Sequence, residues 1–257
     1  MHDLAVVMTN PLDNRHDEFN DWYSHIHIRD IMRAPASIAV QRFVLSADQL
    51  PAGDGVERSH AQYLAIYETY DIEKLTYAHR HVFTPAMLVS DSIDLSHEGY
   101  YFHPLATRQH EPDGLHSGHV LIEQLAPAVA HPSFVEDYAK QRMAAMLTLP
   151  GFKAGMLATA APHQMVPSMP DRPYVGIYRL GDSRAALTAM VAAGLNRPPA
   201  SARGSIIMSC FEPLFDRLTA DEVLHPTAAG MAAEAAARAA IGDRFYDGSH
   251  LQRWRER

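Results

Sequence analysis

His27 lies four residues after Tyr23 and three before Asp30, so on a helix all three share one flank. A neutral imidazole there can take a proton, and Asp30 could orient it or stabilise its charged form. Tyr23 could pass or supply a second proton. Spacing alone also admits a half-buried helix histidine beside a solvent-facing aspartate. His79 falls in the apolar stripe of a later helix, with Ile72, Leu75 and Val82. A histidine there costs desolvation unless a ligand pocket or a backbone carbonyl partners it. His81 points about 200° away from His79 on a helix. The two cannot enter one pocket together, so His79 is preferred and His81 is kept as a secondary substrate contact.

Arg42 sits inside the apolar run Ile38-Ala-Val-Gln-Arg-Phe-Val-Leu45. An arginine within a sheet can hold an anionic substrate group, unless it points outward. Trp22, Tyr23, Tyr63 and Tyr67 could wall an apolar cavity. His103, just before Pro104 at a strand end, could line its mouth. No metal is expected. His25 and His27 are two apart, as are His79 and His81, which turns each pair of rings about 200° apart. The helical zinc spacing of four occurs in no histidine pair of this chain. No cofactor is expected either. A glycine-rich phosphate loop and a Gly-x-Ser-x-Gly elbow are both missing from the sequence, and nothing marks an axial haem histidine.

The elements that must position these residues follow from periodicity and punctuation. Leu4–Thr9 is apolar and β-prone, and Asn10-Pro11 stops it. A helix is predicted from about Asp17 to Ala34, because Phe19, Trp22, Tyr23, Ile26 and Ile31 recur near helical spacing; Pro35 ends it. Strands follow at 38–45 and 62–69, then a helix that Asp71 caps and that runs through Phe83. Tyr100–His103 opens a fourth strand before Pro104. This order is a ferredoxin-like βαββαβ unit, an antiparallel sheet with two helices on one face.

The unit occurs twice. Phe19, Tyr23 and Pro35 return as Phe134, Tyr138 and Pro150, a constant shift of 115. Tyr63-Leu-Ala-Ile-Tyr67 returns as Tyr174-Val-Gly-Ile-Tyr178, and Phe102-His-Pro-Leu-Ala-Thr-Arg108 as Phe211-Glu-Pro-Leu-Phe-Asp-Arg217. The fold expected is α+β: two tandem ferredoxin-like repeats, 1–110 and 115–218, packed sheet to sheet as a fused α/β barrel. Residues 219–257 make a helical C-terminal tail, centred on the Ala-rich run 228–240. The tail is either loose or an arm docked on this subunit or a neighbour.

The repeat also sorts the candidates. His27 corresponds to Arg142, His79 to Met190, Arg42 to Leu157 and His103 to Glu212, whereas Tyr63 and Tyr67 recur as tyrosines, which gives those two a structural reading. Twelve of the 16 histidines fall at or before His119, so the first unit is expected to carry the working site.

Composition narrows the class. The chain has 257 residues, 47% of them hydrophobic and 20% charged, as in an ordinary globular protein. A net charge of −8 argues against nucleic acid. No apolar run approaches the ~18 residues of a membrane span. The N-terminal Met-His-Asp-Leu-Ala-Val-Val reads as a strand that begins at once, not as a leader, and a cytoplasmic location is expected. Cys210 is the single cysteine and reads as a buried strand residue.

The segment Glu18-Phe-Asn-Asp-Trp-Tyr-Ser-His-Ile-His-Ile-Arg-Asp30, with Pro35 and Arg42 after it, resembles the start of the dimeric α+β barrel superfamily. It is most similar to the EthD-like branch, in which a helix carries Trp-Tyr, a His four or five residues on and an Asp three later. The fold resemblance spans about residues 1–218; the histidine motif lies in the first unit only. Members include lyases, cyclases, isomerases, cofactor-free monooxygenases and haem enzymes, so the fold does not choose a reaction. The resemblance implies that His27 is functional. The expected protein is a cofactor-independent enzyme of small-molecule metabolism acting on an apolar or aromatic substrate. His27 serves as general base or acid, with His79 or Tyr23 handling the second proton, in a lyase, dehydratase, cyclase or isomerase reaction. The alternatives are a cofactor-free monooxygenase on a phenolic substrate and a non-enzymatic small-molecule binding protein. Open strand edges and the tail suggest a homodimer.

Overall fold

Eight strands close on themselves. The computed structural model describes residues 1–78, 89–94, 96–110, 116, 118–164 and 169–245. In chain order the strands are β1 (Asp3–Thr9), β2 (Ser37–Leu45), β3 (Val56–Glu57), β4 (Tyr63–Thr69), β5 (Glu98–Gln109), β6 (His119–Pro127), β7 (Phe152–Ala160), β8 (Tyr174–Leu180), β9 (Ala202–Pro213) and β10 (Leu218–Thr219). The first half of the chain has the order β2-β4-β1-β5 and the second half β7-β8-β6-β9. Each is the antiparallel order that a ferredoxin-like unit requires. β5 then pairs with β7, and β2 with β9, both antiparallel. The result is a closed antiparallel barrel. β3 and β10 are short additions on β9 and β2.

The sheets therefore do more than stack. Their edges join, which satisfies the backbone groups that an open edge would leave bare. Those edges were one premise for a homodimer, and they are used within the chain.

Strand alternation sets what faces where. Leu4, Val6, Leu64, Ile66, Phe102 and Ile177 pack with other apolar residues in the barrel interior. Their neighbours Ala5, Val7, Ala65 and Tyr67 face a layer of helices outside.

β5 is longer than the sequence suggests, because Pro104 does not end it. β1 uses residues up to Phe102, and β7 takes over from Phe102 to Gln109. The register shifts between Pro104 and Ala106, where a residue without an N–H costs the ladder least.

The first helical stretch comprises α1 (His16–Trp22), a π-helical turn (Tyr23–His27) and α2 (Ile28–Met32). α3 (Ile72–Ala78) follows β4, and Asp71 accepts a hydrogen bond from the Lys74 amide at its start. The second half repeats the first arrangement as α4 (His131–Asp137), a π-helical turn (Tyr138–Met143) and α5 (Ala144–Leu147), with α6 (Ser183–Ala192) after β8. α7 (Ala220–Leu224) and α8 (Ala228–Ile241) come last.

The described part of the tail docks on its own chain. α8 buries Ala237 and Ile241 in the helical layer of the first half. Arg33 reaches Glu234 at 3.0 Å, Arg238 reaches Asp30 at 3.2 Å, and Arg244 reaches Glu18 at 3.0 Å. Among the described residues no helix is long and apolar enough to cross a membrane.

One ion pair at the barrel end has a consequence for acid stability. Arg217 donates to both Glu68 oxygens, at 2.6 and 2.8 Å. Burial pushes the Glu68 carboxyl up, but Arg217 more than offsets it, so the group stays below its usual value of 4.5. A depressed carboxylate contributes stability that is present above the unfolded value and lost as pH falls through the folded one. The urea midpoint is thus expected to fall as pH drops below 4.5. Arg217→Leu should flatten that acid limb; an unchanged slope would remove Glu68 from the account.

Candidate active site

The π-helical turn sets the geometry around His27. A wider turn changes which side chains lie above one another. The imidazole packs on the rings of both Trp22 and Tyr23, each with centroids 4.7 Å away. His27 is half-buried, whereas Trp22 and Tyr23 are buried. The histidine thus has apolar aromatic walls and partial access to solvent.

Beneath it lies a rung of three strands. Arg42 on β2 and Val7 on β1 both pair with Ala65 on β4. Arg42 is 1% exposed. Its guanidinium donates to Ser24 Oγ at 2.5 Å and to Asn20 Oδ1 at 3.0 Å, and it stacks 4.3 Å from the centre of the Tyr23 ring. Among the described residues it has no carboxylate partner. Burial lowers Arg42 to about 10, so it remains charged at neutral pH. The next rung holds Tyr67, whose hydroxyl donates to the Tyr23 oxygen at 3.3 Å. Burial raises both phenols, and both stay protonated at neutral pH.

The second half holds a different solution at the same place. Glu123 on β6 pairs with Gly176, and Leu157 pairs with Gly176 from the other side. By register Glu123 stands where Val7 stands, Gly176 where Ala65 does and Leu157 where Arg42 does. Glu123 is 0% exposed. Arg142 binds it with Nη2 at 2.6 Å and Nε at 3.1 Å. Tyr138 donates to Glu123 at 2.5 Å, and Tyr178 donates to Tyr138 at 2.8 Å. Burial works against the Arg142 charge, and Glu123 more than offsets it, leaving Arg142 above its usual range.

A Cβ on Gly176 would lie 2.1 Å from the Tyr138 oxygen. Ala65 carries such a Cβ, so Tyr23 cannot place its hydroxyl as Tyr138 does. The second half is filled by a closed ion-pair network, and the first half has a histidine, a valine and an arginine without a carboxylate.

The other sequence candidates scatter. Asp30 is committed to Arg33 at 3.0 Å and to Arg238 of α8 at 3.2 Å. His103 lies on the outer face of β5, half-exposed, with Nδ1 2.8 Å from Asp3. Trp22, Tyr23, Arg42 and Tyr67 gather around the first-half rungs, with His27 against the first two. His79 and His81 lie outside the described residues. Cys210 is buried, and its thiol is pushed up to about 12. Among the described residues no group of three or more His, Cys, Asp or Glu side chains is placed to hold a metal ion.

His16 lies 3.0 Å from the Tyr63 hydroxyl, and His131 contacts Tyr174 in the same way. A pairing made in both halves serves the fold.

Sequence reasoning passed over Glu123, Asn20 and Ser24. Glu123 carried a readable signal. It occupies the phase of Leu121 and Leu125 in the strand, and Arg142 lies on the buried stripe of the following helix.

No protein-family model matches the chain, and no curated protein matches it. Solved structures do. One is an anthrone oxidase-like protein with 14% identity and a TM-score of 0.58, the match covering 88% of this chain and 97% of that one. Another is a monooxygenase-like protein from Lactobacillus acidophilus NCFM with 10% identity and a TM-score of 0.50, covering 86% and 97%. At such identities the likeness is one of fold. The chain shares with them the fold of an antiparallel α+β barrel.

Proposed function

We propose that this protein is an enzyme that removes a proton from an apolar, aromatic substrate, with His27 as general base and no bound cofactor. One observation carries the reading. His27 rests half-buried on Trp22 and Tyr23, at the position where the second half locks Arg142 onto Glu123. A fold that can fill this place with a closed ion pair carries a titratable group there instead. An imidazole works near neutral pH because its ordinary pKa lies close to it. On this reading residues 1–110 hold the site, 115–218 complete the barrel and 219–257 form the tail. The whole chain acts as a homodimer in the cytoplasm.

The anion formed by proton loss has two courses. It can expel a group or take a proton back elsewhere, which is lyase, dehydratase, cyclase or isomerase chemistry. It can instead react with oxygen, so that an activated CH2 becomes C=O and the second oxygen atom leaves as water. The two fold neighbours, an anthrone oxidase-like and a monooxygenase-like protein, favour the oxygen course as the one to test first. Anthrone is a suitable probe, because its CH2 is acidified by the phenone carbonyl. Uptake of one O2 per anthrone, lost in His27→Ala, is the expected result. Turnover under nitrogen would assign the elimination or isomerisation course. Equal rates for wild type and His27→Ala would sink the base assignment.

A further inference from the structure

Among its described residues the first half has a fully buried cation, Arg42, and no fully buried anion. In the second half a tyrosine pair, Tyr178 to Tyr138, ends on the Glu123 carboxylate, and Arg142 balances the charge. The first half keeps the tyrosine pair, Tyr67 to Tyr23, but Val7 stands in place of Glu123. Among the described residues the hydrogen bond of the Tyr23 oxygen is the one it accepts from Tyr67. Its own O–H therefore has no acceptor among them. Arg42 is likewise without a carboxylate, although it is buried against the Tyr23 ring. A buried cation without a counter-charge is costly, and the second half avoids it at that position with Leu157.

We propose that Tyr23 and Arg42 form an oxyanion site, in which the Tyr23 O–H donates to an oxygen anion of the substrate and the Arg42 charge stabilises it from behind the ring. The substrate class follows: a phenol or enolisable ketone whose deprotonated form carries its charge on oxygen. Arg42 acts on this oxygen through its charge: two of its five N–H groups go to Ser24 and Asn20 and its guanidinium stacks on the Tyr23 ring, so it is a positioning and electrostatic residue. Tyr23 makes the contact. The proton leaves the substrate O–H or C–H for the His27 imidazole, and the electron pair stays behind as the oxyanion that Tyr23 receives. A preorganised donor and a fixed charge in a water-poor site stabilise such an anion more than water does.

This inference rests on the proposed base chemistry, and binding separates the two. The probe is 4-nitrophenol, whose phenolate absorbs visible light and whose phenol does not. Bound probe is expected to titrate at least ~1 unit below free probe, a tenfold preference for the phenolate. Tyr23→Phe and Arg42→Leu should each return the bound titration to the free value. His27→Ala should keep the shift, because it removes the base and not the anion site. A missing shift in wild type, absent binding, or a shift that survives both Tyr23→Phe and Arg42→Leu would overturn the proposal. Arg42→Leu copies the residue found at that register in the second half. Tyr23→Phe removes one oxygen and no packing, so it decides the matter alone if the leucine variant does not fold.

Discussion

Replacing His27 by alanine is expected to slow turnover by about 10²–10⁴, the range that a positioned general base supplies. The fold should survive. The position is half-buried, and the second half folds with Arg142 there instead. What is lost structurally is contact with two aromatic rings, worth about 0.5–1.5 kcal/mol each. The thermal transition should therefore shift slightly while the rate collapses. His16→Ala is the matched control. His16 contacts Tyr63 as His131 contacts Tyr174, so its loss should move stability and leave the rate in place. Rate profiles against pH would complete the test, because the limb that reports a histidine must disappear in the alanine variant. A persisting limb would move the base elsewhere in the first half.

Glu123→Val is expected to cost about 3–5 kcal/mol, the penalty for stranding a buried charge by removing its partner. Glu123 accepts from Arg142 and from Tyr138 through one oxygen, and its other oxygen lies 2.6 Å from Arg142 Nη2 as an ion pair. Valine leaves Arg142 without its counter-ion inside a layer of Leu121, Leu125, Met143 and Leu157. Urea denaturation should show the loss as a lower midpoint. The double variant Glu123→Val with Arg142→His writes the first half's residues into the second and removes the stranded cation. It should recover most of the loss, giving a strong coupling in the double-mutant cycle. Additive effects would mean that the two side chains do not act as a pair. This experiment also bears on the first half, because it asks whether the barrel tolerates a valine and a histidine at that rung without an ion pair.

These results depend on features of unequal visibility. The strand and helix positions were readable because each is a local rhythm. Leu4 to Thr9 is a short apolar, β-prone run that stops at Asn10-Pro11, and α8 matches its alanine-rich run to within a residue. The βαββαβ order was readable for the same reason. Pro104 misled, because a proline inside a strand is tolerated where the partner changes, and partner identity is a property of the whole sheet. The π-helical turns were invisible. They differ from an α-helix by which carbonyl an amide meets, a choice that side-chain spacing does not record. Asp30 reads as a partner of His27 on a helical wheel, yet α8, two hundred residues later, brings Arg238 to it at 3.2 Å.

The sequence by itself determined the list of elements, their order, the internal likeness of the two halves and the chemical contrast between His27 and Arg142. All of these are carried by short-range patterns or by direct comparison along the chain. Only the tertiary structure decided that the two sheets join at both edges, that Arg42 lies under Tyr23 with no carboxylate, and that Glu123 closes the equivalent place in the second half. The physical reason is one of range. Backbone rhythm is set by neighbours three or four residues away, whereas burial of a charge is settled by residues brought together from distant strands, and the cost of leaving that charge unpaired depends on which of them arrive.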